Sequence, residues 1–198
     1  VVVAVSASLP DRYDAEASIV KQVSSTPFDS VSVDVVTREL ATIGQLLTSS
    51  TVLNAAAREI PGETGETLDE KVSSSVDPEA NLIFVTAEAG DAERAAQIAN
   101  TVAQTFVDEQ AALARRQIEA ARANLLEEQA RLRDQPGSTE QLQAIQQRLS
   151  QLGVSLAAAG TDLRIAERAD PPDERASPKP LRNGILAAFL GLFLGVLV

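Results

Sequence analysis

The chain has 198 residues, 44% of them hydrophobic but only 3% aromatic, so a core is available and it is aliphatic. It contains no His, Cys, Met or Trp, which excludes thiolate chemistry, Ser-His-Asp catalysis, disulfides and zinc sites built from sulfur or imidazole. A net charge of −11 argues against a nucleic-acid groove or a basic membrane-surface patch.

In chain order, Val1 to Leu9 is apolar with small residues and reads as the end of a first transmembrane helix, a plain β-strand being the alternative. Ala15 to Val20 is a β-rich stretch, and Val31 to Val36 is predicted as a second strand because Val31, Val33 and Val35 alternate with Ser32 and Asp34. Ser25-Thr26-Pro27 separates the two as a turn. From Glu39 the period changes: Leu40, Ile43 and Leu47 mark a helix, and Ser49 or Ser50 caps a second one carrying Leu53, Ala56 and Ala57. Pro61-Gly62 breaks the chain, and Leu68 with Val72 suggests another short helix. Asn81 to Glu88 is the strongest strand; its unbroken Leu82-Ile83-Phe84-Val85 run predicts a strand covered on both faces.

Beyond Gly90 the pattern changes in kind. Asp91 caps a helix free of Gly and Pro through Gln135, a run of 44 residues that reaches about 66 Å at 1.5 Å per residue. Ala95, Ile98, Ala99, Val102 and Phe106 give its first part a face that packs on the sheet; past Leu113 the composition is Arg, Glu, Gln and Ala, so that half projects. After Pro136-Gly137-Ser138, Leu142, Ile145, Leu149, Leu152, Leu156, Ala159, Leu163 and Ala166 recur by threes and fours. This predicts a returning coiled-coil helix to about residue 168, facing Leu125 or Leu126 and Leu132 of the outgoing one. Gly153 and Gly160 are its weak points.

Residues 169–180 hold four of the nine prolines, Pro171, Pro172, Pro178 and Pro180, and are expected to run extended and stiff. From Ile185 to Val198 no side chain is polar, which predicts the start of a second transmembrane helix. The fold class expected is therefore α+β: a membrane-proximal α/β domain over 10–90, a long antiparallel hairpin over 91–168 with 91–106 on the domain, a linker over 169–183, and truncated spans over 1–9 and 184–198.

Acidity belongs to the first part, with 14 acids and 5 bases in residues 1–90 against 11 and 9 in residues 91–168, and reads as a solvated surface. The neighbouring carboxylates Asp69-Glu70 and Glu127-Glu128 point apart on helices and cannot share a substrate; Tyr13 packs near the domain entrance. There is no phosphate-cradling glycine loop and no catalytic constellation, so no enzyme, cofactor or metal is expected within this chain.

Two stretches carry a family resemblance. The strand at Leu82, the helix start at Asp91 and Ala96-Gln97-Ile98-Ala99-Asn100 form one; Ala169, Pro171, Pro172, Pro178, Gly184, Gly191 and Gly195 form the other. With the element order, they resemble the Wzz-type chain-length determinants, the polysaccharide co-polymerases, including the membrane adaptor part of bacterial tyrosine autokinases. Glu174 and Arg175 stand where the family often carries a further proline. The resemblance implies a non-enzymatic, ring-like homo-oligomer in the cytoplasmic membrane, with residues 10–183 extracytoplasmic. Its implied partners are membrane lipid, a polysaccharide polymerase, the polysaccharide itself and, in the adaptor variant, a cytoplasmic tyrosine kinase. The alternatives are an autokinase activator region, selected by a nucleotide-binding domain beyond Val198, and an anchored sensor or adaptor unrelated to polysaccharide.

Overall fold

A computed structural model describes residues 11–22, 33–133, 135, 137–159, 162–174 and 176. The first element, β1 (Tyr13–Lys21), alternates Ala15, Ala17 and Ile19 inward with Asp14 and Glu16 outward. The next described element is a helix, α1 (Val33–Leu47), so residues 33–36 of the strand expected over Val31 to Val36 are helical; Val31, Ser32 and the turn expected at Ser25-Thr26-Pro27 lie outside the described residues. A six-residue alternation competes there with a helical stripe, Leu40 and Leu47 fully buried and Ile43 half-buried. Once that stripe has nucleated a helix, extending it backward over 33–36 costs little.

Two short helices follow, α2 (Ser50–Ala57) and α3 (Gly65–Lys71), burying Val52, Leu53, Ala56 and Leu68. Ser49 occupies the N-cap of α2 without a side-chain bond. Val72, expected within the third helix, instead opens β2 (Val72–Asp77), a strand whose Ser73-Ser74-Ser75 centre has no apolar alternation to announce it. The Ser74 hydroxyl donates to the Gly44 carbonyl at 2.8 Å, holding α1 against β2. A hairpin turn leads into β3 (Leu82–Ala89). Only Ile83, Val85, Ala87 and Ala89 of this strand are buried. The expectation of cover on both faces fails because burial alternates along the strand, and Leu82 and Phe84 on the other face are half-buried.

The long helix is α4 (Ala92–Arg133), 42 residues, about 63 Å at 1.5 Å per residue. Asp91 caps it, its Oδ1 accepting from the Arg94 amide at 2.9 Å. Every residue of α4 classed as buried lies between Ala95 and Phe106, where Ile98, Ala99, Val102 and Ala103 press on the sheet with complete loss of exposure. At the far turn Gly137 takes φ +87°, a conformation that favours glycine. Beside it the buried Ser138 hydroxyl lies 2.7 and 2.8 Å from the Leu132 and Gln135 carbonyls, closing the end of α4.

The returning helix, α5 (Thr139–Ala158), is shorter than expected. The chain instead forms β4 (Leu163–Glu167), so Leu163 and Ala166, assigned to the coiled-coil seam by spacing, sit on a strand. The physical reason is β1: it pairs with β3 on one side only, and its other edge has backbone groups to satisfy. Leu163 and Ile165 alternate with Arg164 and Ala166, so the segment fits a half-buried strand as well as a helix. The sheet is antiparallel in the order β2-β3-β1-β4, with Ile19 opposite both Ile83 and Ile165. Among the described residues no helix is long and apolar enough to cross a membrane; the spans expected over 1–9 and 184–198 lie outside the described residues.

Candidate functional site

The sequence directs attention to the proline-rich departure from the sheet. Immediately after β4, Ala169 is 4% exposed and joins the core. Asn100, half-buried on α4, grips it with both ends of its amide: Nδ2 donates to the Ala169 carbonyl at 2.8 Å and Oδ1 accepts from the Ala169 amide at 2.9 Å. The side chain thus substitutes for a neighbouring strand and satisfies both backbone groups of a buried residue. An Asn is a poor helix former; this contact explains its presence beside the buried Ala96, Ile98 and Ala99.

The departing chain then passes the exposed Pro171 and half-buried Pro172. The Ala176 amide donates to the Arg12 carbonyl at 2.9 Å. The Arg12 guanidinium in turn pairs with Glu88 on β3. The entering and departing segments are therefore fastened side by side at one end of the sheet. That end lies opposite Lys21, where β4 begins and the hairpin rises. Pro178, Pro180, Gly184, Gly191 and Gly195 lie outside the described residues.

Between α4, β4 and Glu59 is a shallow depression of about 210 Å³ lined by Asn100, Thr101, Gln104, Ile165 and Arg168. Gln104 is turned onto both oxygens of Asp108 at 3.1 Å, and the lining holds two amides, one acid and one base. Among the described residues no group of three or more acidic side chains is placed to hold a metal ion.

A second polar cluster went unnoticed in the sequence. Glu63, its side chain 6% exposed, accepts from Lys71 Nζ at 2.8 and 2.9 Å and from the Thr67 hydroxyl at 2.7 Å. Arg94 Nη2 reaches the same carboxylate at 3.4 Å and the Pro61 carbonyl at 2.5 Å. Burial acts to raise the Glu63 pKa, but the hydrogen bonds from Lys71 and Thr67 and the charges of Lys71 and Arg94 outweigh it and hold the carboxyl below its ordinary range. The cluster ties the loop before α3 to the first turn of α4. No spacing rule links positions 63, 71 and 94, so only the fold brings them together.

The hairpin seam is only partly closed. Ile145 is 3% exposed, whereas Leu142, Leu149, Leu152 and Leu156 are half-buried. On the facing helix Leu125 and Leu132 are half-buried and Leu126 is exposed.

No protein-family model and no curated protein matches the chain. Solved structures do. A fragment of WzzB, a polysaccharide co-polymerase from Salmonella Typhimurium, is 12% identical, with 85% of this chain and 100% of that chain covered at a TM-score of 0.41. A full-length bacterial polysaccharide co-polymerase is 16% identical over 96% of this chain and 85% of that one, TM-score 0.37. A mutant of the Shigella flexneri lipopolysaccharide O-antigen chain-length regulator WzzBSF is 14% identical over 83% and 100%, TM-score 0.28. By structure, the chain is similar to polysaccharide co-polymerases of the Wzz type, at low sequence identity.

Proposed function

We propose that the chain is the extracytoplasmic part of a membrane-anchored polysaccharide co-polymerase. In this role it is not an enzyme: it sets the chain length of a surface polysaccharide that a partner polymerase makes, as a homo-oligomer in the cytoplasmic membrane. The observation that carries this is the pairing of Ala176 with Arg12, which makes the chain enter and leave at one end while the hairpin rises from the other. That geometry suits a body standing on two anchors, and the apolar runs over 1–9 and 185–198 supply them. Asn100 connects the two functions of the body, because it holds the departing chain to the helix that forms the hairpin.

The test uses a strain lacking the wild-type protein, with gel profiling of its surface polysaccharide. Two variants are compared: Asn100→Ala, which releases Ala169, and a quadruple change of Pro171, Pro172, Pro178 and Pro180 to Ala, which softens the segment. Both are expected to reach the membrane at normal level and shift the product from a defined length range to short or unregulated chains. An unaltered length distribution from the complete deletion would remove the proposed function; an unaltered distribution from both variants alone would reduce the linker to a spacer.

A further inference from the structure

Among the described residues the four-stranded sheet leaves one edge of β2 and one edge of β4 without a strand partner, since β2 pairs with β3 alone and β4 with β1 alone. Strand polarity gives these edges a definite relation. β1 runs from the anchored end toward the hairpin, β3 runs back, β2 runs up again, and β4 runs down from the hairpin toward Ala169. When two copies stand upright side by side, anchored in one plane, β2 of one copy therefore meets β4 of the next in antiparallel orientation. This continues the pattern already present inside each sheet.

We infer that neighbouring copies of this chain join by β2-to-β4 edge pairing, so that each four-stranded sheet continues into the next. The interface presupposes the lateral homo-oligomer proposed above and names its contact. Three features favour a second copy as the occupant. The centre of the β2 edge is unguarded against pairing: Ser73-Ser74-Ser75 has no Lys, Pro or bulge, Lys71 and Pro78 stand only at its two ends, and Ser73 and Ser75 are exposed. The contact joins two different edges, so it is heterologous and closes into a ring when the rotation per copy divides a full turn. Finally, a lateral neighbour places a second hairpin beside the first, where Leu142, Leu149, Leu152 and Leu156 are half-buried and Leu113, Leu126 and Val154 are exposed. Acidic residues dominate the surface around β2, with Asp69, Glu70, Asp77 and Glu79, while the β4 edge alternates Arg164 and Arg168 with Asp162 and Glu167. Backbone valence and polarity, more than charge, thus define the fit.

The absence of cysteine makes the test direct. Ser75 and Ala166 are both exposed, on opposite edges of the sheet, Ala166 standing at the β4 irregularity between the pairs Ile19–Ile165 and Ser18–Glu167. Three strand spacings separate them, about 14 Å at ~4.8 Å each. That is beyond the reach of a disulfide, about 7 Å between Cα atoms, so any bridge between them joins two copies. The full chain carrying both Ser75→Cys and Ala166→Cys is oxidised mildly in nanodiscs and run on a non-reducing gel, with its mass measured in parallel. A second pair, Ser73→Cys with Ala166→Cys, covers a two-residue slip in register. The expected result is a ladder of dimer, trimer and higher species from at least one pair, collapsing on reduction, with each single variant remaining monomeric on the gel. An oligomeric mass with no ladder from either pair would overturn the edge contact and leave the homo-oligomer standing. A dimer from Ser75→Cys alone would show a two-fold β2-to-β2 contact and overturn it as well. A monomeric mass would remove both the contact and the lateral assembly.

Discussion

The two halves of α4 differ more than their shared helix suggests. From Ala95 to Phe106 the helix loses its apolar face completely to the sheet and to α2; from Leu113 onward none of its described residues is buried and most are exposed. The same amino-acid type behaves differently in each region: Leu53 and Leu68 in the base are at most 1% exposed, whereas Leu149 and Leu152 in the hairpin are half-buried. Two helices alone enclose few side chains, since each has only one neighbour to lose water to: Ile145 is buried in the seam, and the leucines around it are not. The base is a closed core, and the hairpin is a surface held in shape by the base and by its turn.

The largest contrast is expected at Phe106. It is fully buried, and truncation to Ala leaves a cavity at the last packed turn of α4, costing about 3–5 kcal/mol. Thermal unfolding of the whole chain is the measurement, with Leu126→Ala as the hairpin counterpart. Leu126 is 44% exposed, and its loss is expected to fall within about 1 kcal/mol. Comparable losses at the two positions would break the distinction between closed base and open hairpin.

A smaller global effect, confined to one region, is expected when Leu149 and Leu152 are both changed to Asp. Each carboxylate would sit in the half-buried seam against α4, where an unpaired charge is costly. Circular dichroism should report lost helicity and proteolysis should cut near the hairpin tip while the base resists. Unchanged helicity and protease resistance would mean that the seam contributes nothing to the hairpin.

The smallest effect sharpens the account of the base. Glu63→Gln removes a buried carboxylate from Lys71 and Arg94, and is expected to cost about 1–2 kcal/mol at neutral pH. The value is kept low because the Lys71 side chain is 37% exposed and finds water. The folded-state pKa of Glu63 lies below its ordinary value of 4.5. Its stabilisation is therefore complete above that value and is lost as pH falls through the folded pKa. Denaturant unfolding of both forms should show the wild-type advantage at pH 7 narrowing below pH 4.5. An advantage that persists unchanged into strong acid would show that packing, not charge, is what Glu63 supplies.

Elements with a long or emphatic period were legible from residue order alone. The β-rich stretch of β1, the β3 run, the Asp91 cap, the great length of α4 and the Gly137 turn all depend on neighbours within a few positions, so local chemistry specifies them. Asn100 and Ala169 stood in recognisable patterns, but nothing local says that one amide holds the other residue's backbone across 69 positions. Three features needed the assembled fold. Val33 to Val36 follow the helix that packs behind them. Ser73-Ser74-Ser75 become a strand because β3 offers hydrogen bonds on that side. Leu163 to Glu167 leave the heptad pattern because the open edge of β1 demands a partner. In each, an unsatisfied backbone or a buried face elsewhere in the chain outweighed the short pattern, and such demands exist only once the rest of the molecule is in place.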